Sequence, residues 1–162
     1  MKLRMISLAL MMVMGLITHA KPLQQGFDKG RYYEVIAAAD MGAIDKELEV
    51  IRNSSVSHKE AYEGVLLMKK AGLIKEIPKK LRLFKSGHSK LETSIEKDAQ
   101  NAELRFLRIM IQEHAPGIVH YRGNLEKDTQ AVKSSFKSLS LIVQKAIIDY
   151  SKQSKVISAK DL

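Results

Sequence analysis

The chain has 162 residues, with 27 lysines and arginines against 18 acidic residues, a formal net charge of +9 and no cysteine. Without thiols, disulfide scaffolds, thiol catalysis and thiolate metal sites are excluded, so a packed apolar core must supply the stability. The basic residues are spread along the chain, a pattern that argues against a nucleic-acid partner and leaves an anionic surface as the electrostatic alternative.

Met1-Lys2-Leu3-Arg4 is a basic start. Met5–Ile17 is an apolar run broken only by Ser7 and Gly15, and Thr18-His19-Ala20 ends it with small residues at the −3 and −1 positions. That order predicts a secretory signal peptide over 1–20, cleaved between Ala20 and Lys21, and an exported protein, periplasmic or extracellular. The run is well short of the roughly 20 apolar residues that span a bilayer. Cleavage would remove Lys2 and Arg4 and leave one helical domain at 21–152, followed by a polar tail, 153–162, expected to be flexible.

Lys21–Asp28 reads as an extended lead-in, because Pro22 and Gly26 oppose a helix there. From Lys29 to Ala39, the apolar positions Tyr32, Tyr33, Val35, Ile36 and Ala39 predict a first helix capped by Asp28. Asp40 is a second cap, and Met41, Ile44, Leu48 and Ile51 follow at the spacing of a helix with one narrow apolar face. Ser57-His58-Lys59-Glu60 reads as a capping box that opens a third helix. Small residues at Ala61, Gly64 and Gly72 predict close approach by a neighbour, since a mid-helix glycine costs roughly 1 kcal/mol against alanine and needs a packing reason. Pro78 suits the start of a fourth helix, on which Leu81, Phe84, His88, Leu91 and Ile95 predict a buried stripe.

Asn101–Pro116 (NAELRFLRIMIQEHAP) is the predicted hub. Leu104, Phe106, Leu107, Ile109, Met110 and Ile111 cover an arc of roughly 220°, wider than the stripe of a surface helix. A polar line of Asn101, Arg105, Arg108 and Gln112 fills the rest. After an irregular stretch at 117–123, Leu125–Phe136 predicts a sixth helix and Leu139–Tyr150 a seventh, capped by Ser138 or Ser140. No alternating run is long enough for a strand. The expected fold is all-α, with about six or seven helices stacked as hairpins around a central helix at 101–115.

Gly87, Leu91 and Ser94, followed by the turn Asp98-Ala99-Gln100-Asn101, resemble the second helix of a tetratricopeptide repeat and the turn after it. The pattern departs from that family at Ala99, where proline would stand, and at Arg105 and Arg108, where the repeat takes an aromatic residue and leucine. The resemblance implies a helix hairpin over 83–116. The same stretch, especially Glu103-Leu104-Arg105-Phe106-Leu107-Arg108, is similar to small exported bacterial helical proteins without assigned activity, and that likeness implies no catalytic residue.

Arg105, Arg108 and Gln112 fall at i, i+3 and i+7 and so line one helical edge. Two guanidinium forks and an amide suit a carboxylate or phosphate, while the structural alternative pairs them with Glu60, Glu63, Glu92 or Glu96. His114 and Tyr121, beside Glu113 and His120, extend this edge into a candidate ligand site. Glu103 points toward the apolar arc and predicts an ion pair with a basic residue of the fourth helix. No HExxH or cysteine pair supplies a metal, so neither metal nor cofactor is expected, and no GxSxG, P-loop or GxGxxG is present. Lys75, Lys79, Lys80, Arg82, Lys85 and Lys90 read as a solvated basic face, with anionic membrane as the alternative contact. The function expected is an exported, non-enzymatic helical module that binds another envelope protein or has a structural role there. The alternative is a small-anion or enzymatic site on the Arg105, Arg108, Gln112, His114 edge.

Overall fold

The computed structural model describes residues 26–162; the predicted signal peptide and the Ala20–Lys21 junction lie outside the described residues. Asp28 opens α1 (Lys29–Ala38) by accepting a hydrogen bond from the Arg31 amide, and Ala39 ends it in the left-handed conformation. Asp40 then opens α2 (Met41–Arg52) in the same way, accepting from the Ala43 amide. Each aspartate satisfies a backbone donor that the first turn leaves unpaired. The rest are α3 (Lys59–Leu73), α4 (Ile77–Lys97), α5 (Ala102–Gln112), α6 (Leu125–Ser135) and α7 (Leu141–Ser151). The described residues are thus all-helical, with seven α-helices and no strand.

The enclosure of α5 decides the architecture. Every residue of this helix except Glu103 is buried, and α5 packs on α3, α4 and α6. Asn101 caps it, accepting from the Glu103 and Leu104 amides. The helix ends at Gln112, before Pro116, and the chain turns at Glu113, whose side chain meets the C-terminal segment. A chain of rings ties the elements together: Tyr32 to Tyr62, Tyr32 to Tyr33, Tyr33 to Phe106 and Phe106 to Tyr150 lie with centroids 4.9, 5.5, 5.9 and 5.6 Å apart. Through them α1, α3, α5 and α7 share one core, and α7 returns to pack on α1.

The most extensive pair is α3 with α4, and two glycines set its spacing. A Cβ on Gly64 would sit 2.6 Å from the Gly87 carbonyl oxygen, and one on Gly87 would collide with the Gly64 carbonyl. Backbone therefore meets backbone, and any larger residue would have to separate the helices. Gly72, by contrast, faces open space.

Four expectations are corrected. The Ser57–Glu60 box does not form: His58, at φ 56°, occupies the cap of α3 without a side-chain hydrogen bond. The α4 stripe is buried only in its second half, through Gly87, Leu91, Ser94 and Ile95, whereas Leu81 is 45% exposed. Periodicity aligns those residues, but α4 outruns its neighbours at its N-terminal end. Glu103 pairs with Lys29 of α1 rather than with α4. Finally, the tail at 153–162 is held in place: Ile157 is buried and the Ser154 hydroxyl and Lys155 amide donate to the Glu113 carboxylate.

Candidate functional site

The arginine edge of α5 is closed. Asp128, fully buried on α6, accepts from Arg105 Nη1 at 2.8 Å, Arg108 Nε at 2.6 Å and Arg108 Nη2 at 2.9 Å. Arg105 Nε donates to the Ala99 carbonyl at 2.9 Å, and Arg108 Nη1 to Glu92 Oε2 at 2.6 Å. Burial works against the Arg108 charge, but Asp128 and Glu92 outweigh it and hold the guanidinium more firmly protonated than an ordinary arginine. Of the acids expected as partners, Glu92 takes part; Glu60 and Glu63 instead meet Lys90, and Glu63 also meets Arg52. Asp128 was not among the acids expected from the sequence. Its signal was present, since Leu125, Asp128, Thr129 and Val132 fall at i, i+3, i+4 and i+7, which sets a carboxylate in an otherwise inward-facing row.

Tyr121 joins this network and donates its hydroxyl to Glu92. Burial and then the Glu92 carboxylate raise its pKa far above that of free tyrosine, which favours the protonated, donating hydroxyl. Its ring lies 4.5 Å from that of His88, which explains the place of that histidine without a buried hydrogen bond. Gln112 is buried to 1% exposure, and neither side-chain polar atom has a hydrogen-bond partner among the described residues. His114 is exposed and lines a cavity between α1 and α7, its ring 6.1 Å from that of Tyr150. The five residues expected to converge are thus divided: Arg105, Arg108 and Tyr121 form one closed network, Gln112 is enclosed without a side-chain partner among the described residues, and His114 lines the α1–α7 cavity. Among the described residues no group of three or more histidines and acids could hold a metal ion.

A second polar knot closes around Glu103. Lys29 Nζ, the Tyr62 hydroxyl and the Tyr33 hydroxyl donate to it at 2.7, 2.8 and 3.0 Å. Burial and the adjacent carboxylate raise both tyrosines well above their ordinary pKa, which favours the protonated hydroxyls that donate to Glu103.

A cavity of about 450 Å³ opens between α1 and α7, with Lys69 of α3 and Met110 of α5 also lining it. Its apolar wall comes from Tyr33, Ile36, Met110, Ile142, Ala146 and Tyr150. Tyr33 and Tyr150 present ring surface there, since their hydroxyls donate to Glu103 and Glu113. The charges around it are unequal in company. Asp149 is bridged by Lys145 and Lys152 at 2.7 Å each, and Glu34 acts on Lys145. The Lys69 side chain has no ion pair or hydrogen bond among the described residues, and its burial holds the ammonium below the usual lysine range. The volume lies within the roughly 300–1,000 Å³ of ligand pockets. No protein family, curated protein or solved structure matches the chain.

Proposed function

We propose that the protein is an exported, non-catalytic helical module that binds another envelope component, and that the α1–α7 cavity is its recognition surface. The proposal of export rests on the leader pattern of residues 1–20. One observation carries the binding reading: the buried charged clusters on α5 are closed by their own partners, whereas the cavity combines an apolar wall with a lysine that has no counter-ion among the described residues. A partner that seats an apolar side chain beside a carboxylate would bury the wall and supply the missing charge. Leu141 and Ile148, exposed on α7 with Ile142 of the cavity mouth, extend the apolar area available to it.

The test is capture from an envelope extract by the chain beginning at Lys21, compared with two variants. Ala37, exposed on the α1 side of the cavity, becomes tryptophan to fill it, and Lys69 becomes methionine to remove the charge. Partners retained by the wild type and lost from both variants support the reading. An identical set captured by all three proteins overturns it. Fractionation of cells that express the full chain tests export separately: recovery of a protein starting at Lys21 outside the cytoplasm is expected, and retention of Met1 in the cytoplasm refutes it.

A further inference from the structure

A different surface points to a second contact. Where α3 turns into α4, Leu73, Ile77 and Leu81 are 40, 67 and 45% exposed. Ile77 and Leu81 are one turn apart on the same side of α4, and Leu73 ends α3 beside them in sequence. Lys75, Lys79, Lys80, Arg82 and Lys85 occupy the same hairpin end, and none of their side chains forms an ion pair or hydrogen bond among the described residues. Glu76 is the one acidic residue between positions 73 and 85. The two helices meet backbone to backbone at Gly64 and Gly87, so the tip projects beyond that contact.

We propose that this hairpin end docks on an anionic lipid bilayer, with Leu73, Ile77 and Leu81 entering the headgroup boundary and the five flanking cations lying over lipid phosphates. Exposed aliphatic side chains on a projecting tip gain by leaving water, and a basic surround selects a negatively charged interface. Each such cation is drawn to an anionic leaflet, so charge and apolar insertion act together. None of the described helices is long and apolar enough to cross a membrane, which makes this a contact at the interface and not a span. An acidic protein surface would meet the cations but leave the aliphatic trio without a reason to be exposed.

The chain from Lys21 contains every described helix and is the protein to test, by co-sedimentation with vesicles of phosphatidylcholine alone or mixed with phosphatidylglycerol. Binding is expected to the mixed vesicles, at least roughly tenfold tighter than to the neutral ones, and weakened by high salt. Replacing Leu73, Ile77 and Leu81 with serine together should reduce it by about tenfold or more, without loss of helicity, since all three are exposed. The chain has no tryptophan, so Ile77→Trp is a single reporter whose emission should shift to the blue on mixed vesicles. Equal binding to both vesicle types, or full binding by the triple serine variant, overturns the proposal. So does a reporter that stays red while the protein is retained by immobilised polyglutamate, which would assign the surface to an acidic polypeptide. None of these results bears on the cavity.

Discussion

Replacing Asp128 by asparagine removes one charge from a site where three charged side chains meet. The carboxylate is fully buried and accepts three hydrogen bonds, while Arg105 and Arg108 are only 8 and 5% exposed. An asparagine there would have similar volume, but its amide would present one oxygen and two further donors to guanidiniums that are donors only. Arg108 would keep Glu92 and Arg105 would keep the Ala99 carbonyl, so neither cation would be abandoned. Removing one partner of a buried ion pair costs about 3–5 kcal/mol, and these remaining contacts place the expectation at the low end, about 3 kcal/mol. For a domain of this size, that is a drop in Tm of about 10 °C. Urea unfolding followed by circular dichroism reads the loss as a lower midpoint with an unchanged slope. A loss below about 1 kcal/mol would refute the assignment of a central structural role to Asp128. Replacing Asp128, Arg105 and Arg108 together by leucine and two methionines should lose much less than the single change, because no charge of the trio is then left buried alone.

Three further outcomes follow from the packing. Gly87→Ala should destabilise by about 1–3 kcal/mol despite the better helix propensity of alanine, because its Cβ meets the Gly64 carbonyl, whereas Gly72→Ala should be neutral or stabilising; equal melting shifts for the two would contradict the close approach. Gln112→Leu should raise stability by about 1–2 kcal/mol, since an amide buried without partners among the described residues is exchanged for an apolar chain of similar volume, and a lower midpoint in urea would count against that account. Burial pushes the Glu113 carboxyl up, but the Lys155 amide, the Tyr150 and Ser154 hydroxyls and the nearby His114 together hold it below the usual 4.5. Its folded pKa lies below its unfolded one, so the stabilisation it gives is complete above about pH 4.5 and fades as pH falls through the folded value. Amide exchange at Lys155 and Ile157 should accelerate over that interval in the wild type and be fast throughout in Glu113→Gln; protection that stays flat down to about pH 2 would refute the clasp.

Much of the backbone was written locally. Asp28 and Asp40 start their helices where an acceptor side chain meets unpaired amides, and the breadth of apolar residues from Leu104 to Ile111 announced a helix covered on most sides. Such signals act within one or two turns, and a linear sequence carries them in full. The Ser57 box failed for the same reason in reverse, because a single left-handed residue at His58 was enough to displace it. At the candidate site the sequence supplied the arginines but not their partner: Asp128 is 23 residues from Arg105 and 20 from Arg108, and only the docking of α6 on α5 brings it there. Helical period aligned Leu81 with Leu91, yet it is silent on whether a neighbour covers both, so one is buried and the other exposed. The cavity had no local signature at all. It exists because α7, about a hundred residues after α1, returns to pack against it, and the space left between two helices depends on how their side chains meet, a quantity that only the folded chain defines.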